Sequence, residues 1–324
     1  MDDVKVLITG ANGFVGPYAA RALRARFGDR LTIAATSRLS GHDPDLGDIA
    51  ELDITDRLAV EEAIQRFGPT HVLHLAGVAA LKDVVADPPR AWQVHLHGNL
   101  TIANAIMEYA PACVLLAVGT GLVYGASARR GEALRETTLL EPTNGYEVTK
   151  AAGDLAIGAL AFEGLRCIRL RPFNHTGAGQ TDSFAAPSFA LQIARIEVGL
   201  QPAVMRVGNL DAERDFLDVR DVASAYALAV EKAHELPRGV IINIASGVPR
   251  PIRDVLDGLI ALSRVPVRVE LDPSRMRPSD LPHVVGDNSV ARELLGWKPN
   301  FTFEQTLADL LDYCRGIVTS DARA

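Results

Sequence analysis

An α/β fold is predicted by this sequence: a doubly wound parallel sheet with a smaller C-terminal α/β lobe. Three observations carry that expectation. Short apolar runs alternate with amphipathic helical stretches through the first half, the pattern of parallel strands joined by crossover helices. A glycine-rich turn, GANGFVG, joins the first strand to the first helix. After Arg171 the alternation loosens, and Gly, Pro and Asn accumulate between Pro172 and Pro187 and again between Gly199 and Gly208. At 324 residues the chain is long enough for one large domain or two small ones.

The elements follow in order. Val4–Thr9 reads as a strand and Phe14–Phe27 as a helix whose basic residues lie toward its end, where they suit the helix dipole. Leu31–Thr36 is the second strand, and a short third one ends at Leu52. Asp56 N-caps a helix running to Phe67, and Gly68-Pro69 stops it. A strand at His71–Leu75, one long helix after Pro88-Pro89, a strand at Cys113–Val118, a helix opening near Tyr146 and a strand at Arg166–Leu170 complete the repeat. Beyond Arg171, helical stretches at Ser188–Glu197, Asp218–Ala233, Arg253–Leu262 and Phe303–Arg315 are separated by strands at Val240–Ala245 and Val267–Leu271. This divides the chain into residues 1–171 and, mainly, 172–324, with some later elements returning to the first sheet.

Composition narrows the function. A formal net charge of −7 argues against non-specific nucleic-acid binding, yet a few local arginines still suffice for an anionic small ligand. No apolar run reaches the roughly 18 residues that span a membrane. MDDVKVLITG is acidic and enters a strand at once, so a signal peptide is not expected. Cys113, Cys167 and Cys314 lie far apart, which suggests neither a disulfide framework nor a metal site and fits a reducing cytoplasm. Cys113 and Cys167, in or beside strand-like runs, are expected as small core residues.

The glycine turn comprises Gly10, Ala11, Asn12, Gly13, Phe14, Val15 and Gly16. Glycines allow a tight turn and close backbone approach, and a helix N-terminus offers N–H groups and positive potential, so the physics favours a phosphate site. Directly after an apolar strand and opening a helix, such a turn marks the Rossmann type. The second strand ends at Thr36-Ser37-Arg38, with no carboxylate for a ribose 2′-hydroxyl. Ser37 and Arg38 suit a 2′-phosphate instead, so NADPH is expected, with NADH as the alternative.

The spacing GxxGxxG resembles that of the extended short-chain dehydrogenase/reductase family. The resemblance implies that Asp53 and Ile54 contact the adenine and that Leu75, Ala76 and Gly77 border the ribose. It also gives meaning to Tyr146-Glu147-Val148-Thr149-Lys150. A carbonyl reductase needs a proton donor at the carbonyl oxygen while hydride arrives at carbon. A tyrosine with a pKa of about 10 is sluggish in that role, and a lysine ammonium one helical turn away stabilises its phenolate. The family pattern selects Thr120, four residues before Tyr124, as the hydroxyl that orients the substrate oxygen. Leu122 stands where the family's dehydratases carry an acid, which argues against water elimination.

Arg171-Pro172-Phe173-Asn174-His175-Thr176-Gly177 resembles the family segment that lines the nicotinamide, through Phe173, and offers Asn174 to nucleotide-sugar phosphates. His175 fits a proton shuttle or a loop histidine and stays outside the catalytic set. Arg214 and Arg277 suit a diphosphate, and Asp280 a ribose diol. Within the family, RPFNHTGAGQ, SFALQIARIEVGL, VGNLDAERDFLDVRDV and RPSDLPHVVGDNSVARELLGWKP resemble the reductases of GDP-4-keto-6-deoxy-D-mannose, which serve GDP-rhamnose synthesis. Two departures stand out: Leu191 where that group carries lysine, and His95 where asparagine is usual.

The resemblance implies a cytoplasmic NADPH-dependent oxidoreductase, homodimeric through a four-helix bundle. Its product would be GDP-D-rhamnose or the C4 epimer, the 6-deoxytalose. A dehydratase or epimerase recycling NAD(P) internally is the first rival. A non-enzymatic NADP(H) sensor is the second, and the intact Tyr-Lys pair speaks against it.

Overall fold

The computed structural model describes residues 3–275 and 281–321. The chain opens with β1 (Val4–Thr9), α1 (Gly16–Phe27), β2 (Leu31–Ser37), β3 (Gly41–Asp43) and β4 (Gly47–Glu51). Asp56 then caps α2 (Arg57–Phe67) by accepting from the Ala59 N–H, and Gly68 ends it in the left-handed conformation, as the sequence led one to expect. Next come β5 (His71–His74), α3 (Leu81–Ala86), α4 (Pro88–Trp92), a π-turn at Gln93–Gly98, α5 (Asn99–Tyr109), β6 (Val114–Val118) and α6 (Gly145–Phe162).

The order of the main sheet is β4-β2-β1-β5-β6 and then β7 (Cys167–Pro172) and β11 (Val240–Ile244), all parallel; only β3, paired antiparallel to β4, breaks the pattern. The chain builds outward from β1 in one direction, then crosses back to β5 and builds the other way. That reversal opens a crevice at the carboxyl ends of β1 and β5, where doubly wound sheets bind ligands. One apolar core lies on each face: Ile8, Leu23, Leu116, Leu170 and Trp297 share the first, and Leu7, Ile64, Ile106, Leu115 and Ile157 the second. Cys113 and Cys167 are buried free thiols of the second core.

Between β7 and β11 the chain forms β8 (Asn174–Thr176), α7 (Ala185–Glu197), β9 (Val204–Val207), β10 (Glu213–Asp218) and α8 (Val219–Glu231). After β11 come β12 (Pro249–Pro251), α9 (Ile252–Ala261), β13 (Arg268–Leu271), β14 (His283–Val284) and α10 (Phe303–Asp321). β10 is central to a small sheet with β8, β12 and β14, while β9 pairs with β13. A third core, including Phe189, Ile193, Leu256 and Leu310, binds α7, α9 and α10 together.

Two features go beyond the sequence expectations. The long helix after Pro88-Pro89 is continuous from Pro88 to Tyr109 but not α-helical throughout: the π-turn at Gln93–Gly98 lies between α4 and α5. The polar stretch from Glu213 to Asp218, to which the sequence assigns no element, is a strand, because β8, β12 and β14 supply its hydrogen-bond partners from far along the chain.

Candidate active site

Gly10 and Gly16 shape the turn after β1. Gly10 has φ +68°, and a Cβ there would lie 2.6 Å from the Ala76 backbone. A Cβ at Gly16 would lie 1.8 Å from the Ala11 carbonyl oxygen. Side chains at either position would fill the cradle or force it apart. No side chain caps the α1 N-terminus, and no acidic residue sits in its first turn. This is a donor set that fits a dinucleotide pyrophosphate. The Ser37 hydroxyl donates to Asn12 Oδ1, tying the turn to the end of β2, and Arg38 is exposed beside it. The turn and the Ala76 backbone therefore meet across the crevice, with Leu75 and Gly77 flanking Ala76 in the chain.

Asp53 is engaged within the protein. Its Oδ1 accepts from the Thr55 N–H and hydroxyl, and its Oδ2 pairs with Arg90 at 2.9 Å. These bonds, against a desolvation that works the other way, hold its carboxyl below the usual range. Ile54 is buried and packs into the second core.

Tyr146 and Lys150 lie one turn apart at the start of α6, whose N-terminus Asn144 caps through the Glu147 N–H. Both are partly buried. Burial pushes the Tyr146 phenol up to about 12, with the Thr120 hydroxyl working in the opposite direction as a hydrogen-bond partner. Burial likewise pulls the Lys150 ammonium down to about 8. A lysine one turn away is expected to lower the tyrosine; in the structure burial outweighs the lowering by Thr120, so the phenol keeps its proton. Thr120 is itself buried, and its Oγ1 also accepts from the Leu122 N–H. Phe173 is buried nearby, against the Tyr124 ring.

A residue the sequence reading passed over stands one turn beyond Lys150. Asp154 pairs with Arg171 at 2.6 Å and with Arg169 at 3.2 Å, and Arg171 in turn donates to the Tyr124 hydroxyl. Tyr124 completes the chain by donating to Asn243 on β11. This buried network fixes α6 to the edge of the sheet. Its only sequence signal is the i+4 spacing of Asp154 from Lys150, because the arginines come from a different strand. A cavity of about 10 Å³, near the minimum for one water molecule, lies between Lys150, Asn99, Ala117 and Asp154.

On the lobe side, Asn174 lies opposite Phe216 in the β8–β10 pair. Arg214, two residues back on the same strand, donates to the carbonyls of Glu213 and Leu281. Its neighbour Asp215 is a buried latch, accepting from the backbone of Ser246, Gly247 and Gly286 and from the Ser246 hydroxyl. Leu191, in the place of a lysine, packs on the lobe core. The His175 ring stacks on Phe14 at 6.0 Å and its Nδ1 lies 2.9 Å from the Phe173 carbonyl, so it bridges the glycine turn and β8. Arg277 and Asp280 lie outside the described residues.

The sequence profile of the family described as GDP-mannose 4,6 dehydratase matches residues 7–310. The chain belongs to that family. Members of the GDP-mannose 4,6 dehydratase family are extended short-chain dehydrogenases/reductases, as the glycine spacing and the Tyr-Lys pair suggested. The chain is 34% identical to the GDP-6-deoxy-D-mannose reductase of Pseudomonas aeruginosa, over 95% of this chain and 96% of that one. The structure of RMD from Pseudomonas aeruginosa complexed with NADPH superposes with a TM-score of 0.82 at 30% identity, covering 97% of this chain and 99% of that chain. UDP-glucose 4-epimerase of Thermus thermophilus, solved with NAD, is also similar, with a TM-score of 0.83 at 28% identity over 97% and 99% of the two chains. Family membership thus fixes the general chemistry, nicotinamide-dependent oxidoreduction on nucleotide sugars, and leaves the particular reaction to the residues of this site. Among the described residues no helix is long and apolar enough to cross a membrane.

Proposed function

We propose that this protein is an NADPH-dependent reductase of the 4-keto group of GDP-4-keto-6-deoxy-D-mannose, forming GDP-D-rhamnose. The observation that carries the reading is the pairing of Thr120 and Tyr146, with Lys150 one turn on, in a family member that has leucine at position 122. Leucine cannot exchange a proton, so water elimination lacks its acid, whereas ketone reduction needs only a donor at oxygen. The 34% identity to a reductase supports the same direction.

When bound, NADPH supplies hydride to the carbonyl carbon. Tyr146 donates its phenolic proton to the carbonyl oxygen as that oxygen gains charge, which completes the alcohol. Thr120 orients the oxygen, and Lys150 stabilises the phenolate left behind. The glycine turn with Asn12, Phe14 and Val15 would receive the pyrophosphate, and Ser37 and Arg38 the 2′-phosphate. Asp53 and Ile54 would border the adenine, Leu75, Ala76 and Gly77 the ribose, and Phe173 the nicotinamide. Asn174 and Arg214 would hold the GDP diphosphate, with Arg277 and Asp280 added by the family resemblance. Residues 1–171 would then form mainly the cofactor unit and 172–324 mainly the substrate unit, in a cytoplasmic enzyme.

The active unit in this reading is a homodimer. Val148, Leu155 and Phe162 recur every seven residues along α6 and are 37%, 56% and 96% exposed, an apolar stripe at the spacing of a helix-bundle seam. Trp92 and Tyr109, at the two ends of the α4–α5 stretch, are also partly exposed.

The test supplies GDP-4-keto-6-deoxymannose with NADPH and identifies the sugar by NMR. A reductase consumes one NADPH per sugar; a dehydratase or epimerase consumes none, and that result would overturn the reading. Tyr146→Phe should lower kcat by about 10²–10⁴-fold while NADPH still binds.

A further inference from the structure

His95 lies in the π-turn, 1% exposed, and both of its ring nitrogens are used. The Val78 backbone N–H donates to Nε2 at 3.0 Å. A backbone amide can only donate, so Nε2 carries no proton, and in a neutral ring Nδ1 must carry it. Nδ1 lies 2.8 Å from Thr149 Oγ1. The Thr149 hydroxyl, accepting from His95, passes its own proton to the carbonyls of Gly145 and Tyr146, at 2.9 and 3.0 Å. One directed chain thus runs from the loop after β5 to the first turn of α6.

The surroundings hold the ring to this task. The His95 carbonyl accepts from Asn99 Nδ2, and a Cβ on Gly153 would stand only 2.2 Å from that carbonyl, so the π-turn rests directly on the α6 backbone. The ring meets the Tyr146 ring edge-on at 5.9 Å. A methyl group on Gly77 would lie 2.9 Å from Lys150 Nζ and 3.6 Å from His95 Nε2, which puts the ammonium and the imidazole on the same short stretch of loop. π-Turns often mark functional positions, because the extra residue re-aims one side chain.

We propose that His95 is a positioning residue: locked as the neutral Nδ1–H tautomer, it clamps the Gly77-Val78 loop to the Tyr146 turn and so sets where Tyr146 and Lys150 meet the carbonyl. Protonation would place an N–H against the Val78 N–H and break the clamp, so the ring stays neutral across the working range. The inference deepens the reductase reading, and one arm of its test does not depend on that reading.

The independent arm is ¹⁵N NMR of histidine-labelled, full-length protein without substrate, with His95 assigned through His95→Gln. One imidazole should show a protonated Nδ1 and a bare Nε2, unchanged from pH 5 to 8. A bare Nδ1, or titration within that range, would overturn the proposal whatever the substrate is.

The kinetic arm uses His95→Gln, which replaces the rigid two-sided ring by one flexible amide and so loosens the link from Val78 to Thr149, and Thr149→Val, which removes the same link from the other side. Each should lower kcat by about 10- to 100-fold, with KM for NADPH little changed and the alkaline limb of the pH profile displaced. The double variant should be no worse than the single ones. Retained NADPH fluorescence binding shows that each variant is folded. Additive losses, or full turnover with an unmoved pH profile, would show that His95 only fills space.

Discussion

Lys150 carries a charge that burial works against. Its folded value of about 8 lies below the ordinary lysine value of 10.5. Below about pH 8 both folded and unfolded chains hold the proton, and the folded state bears the full desolvation penalty. Between about 8 and 10.5 only the unfolded chain holds it, so stability contributed at this position rises with pH through that window. Lys150→Met should therefore raise the melting temperature at pH 7, by on the order of a few degrees, while abolishing turnover. In the wild-type enzyme, kcat/KM should fall above an apparent pKa near 8 as the ammonium that steadies the phenolate is lost. A rate that stays flat to pH 10 would remove Lys150 from the proton-transfer step.

At the scale of elements, two junctions bear on function. The first is the close pass of the β1–α1 turn beneath the loop after β5. Gly10→Ala would place a side chain on a backbone with φ +68° and drive it into Ala76. It should destabilise the fold by about 1–3 kcal/mol in urea titrations and weaken NADPH binding more than tenfold. The second is the tie between α6 and β7. Asp154→Ala would leave Arg171, with a side chain 2% exposed, as a buried cation without its partner. A loss of about 3–5 kcal/mol is expected, measurable by denaturant unfolding.

The first junction was legible in the sequence because its signal is local: the strand, three glycines and the start of the helix lie within thirteen residues, from Val4 to Gly16. Most main-sheet strands were legible for the same reason, each being a short apolar run, whereas β3 is the polar run Gly41–Asp43 and gave no such signal. β8, β10 and β12 were not, since they are three to six residues long, and their partners come from elsewhere in the chain. The π-turn hides in a helical pattern because one added residue hardly alters the periodicity. His95 stood out in the sequence only as a departure from the usual residue. Its purpose depends on Val78 and Thr149, 17 and 54 residues away, which only folding brings to its two nitrogens.

For the whole molecule, the proposed dimer would make association and catalysis neighbours, since the helix that bears Val148, Leu155 and Phe162 also bears Tyr146 and Lys150. Leu155→Asp with Phe162→Asp should halve the mass seen by analytical ultracentrifugation. Turnover should fall with it, because α6 then loses the support on its outer side. A wild-type protein that is already monomeric at micromolar concentration would refute the bundle.

The strand order also dictates a schedule. β11 closes the main sheet beside β7 and supplies Asn243 to the Tyr124–Arg171 network, but it leaves the ribosome about 70 residues later. At synthesis rates of about 5–20 residues per second, the exposed edge of β7 waits on the order of seconds for its neighbour. During that interval the nascent chain presents an unpaired row of backbone amides, open to chaperones or to another nascent copy. The glycine cradle can be assembled early, yet the helix holding Tyr146 and Lys150 gains its last buried anchor only when three-quarters of the chain has been made.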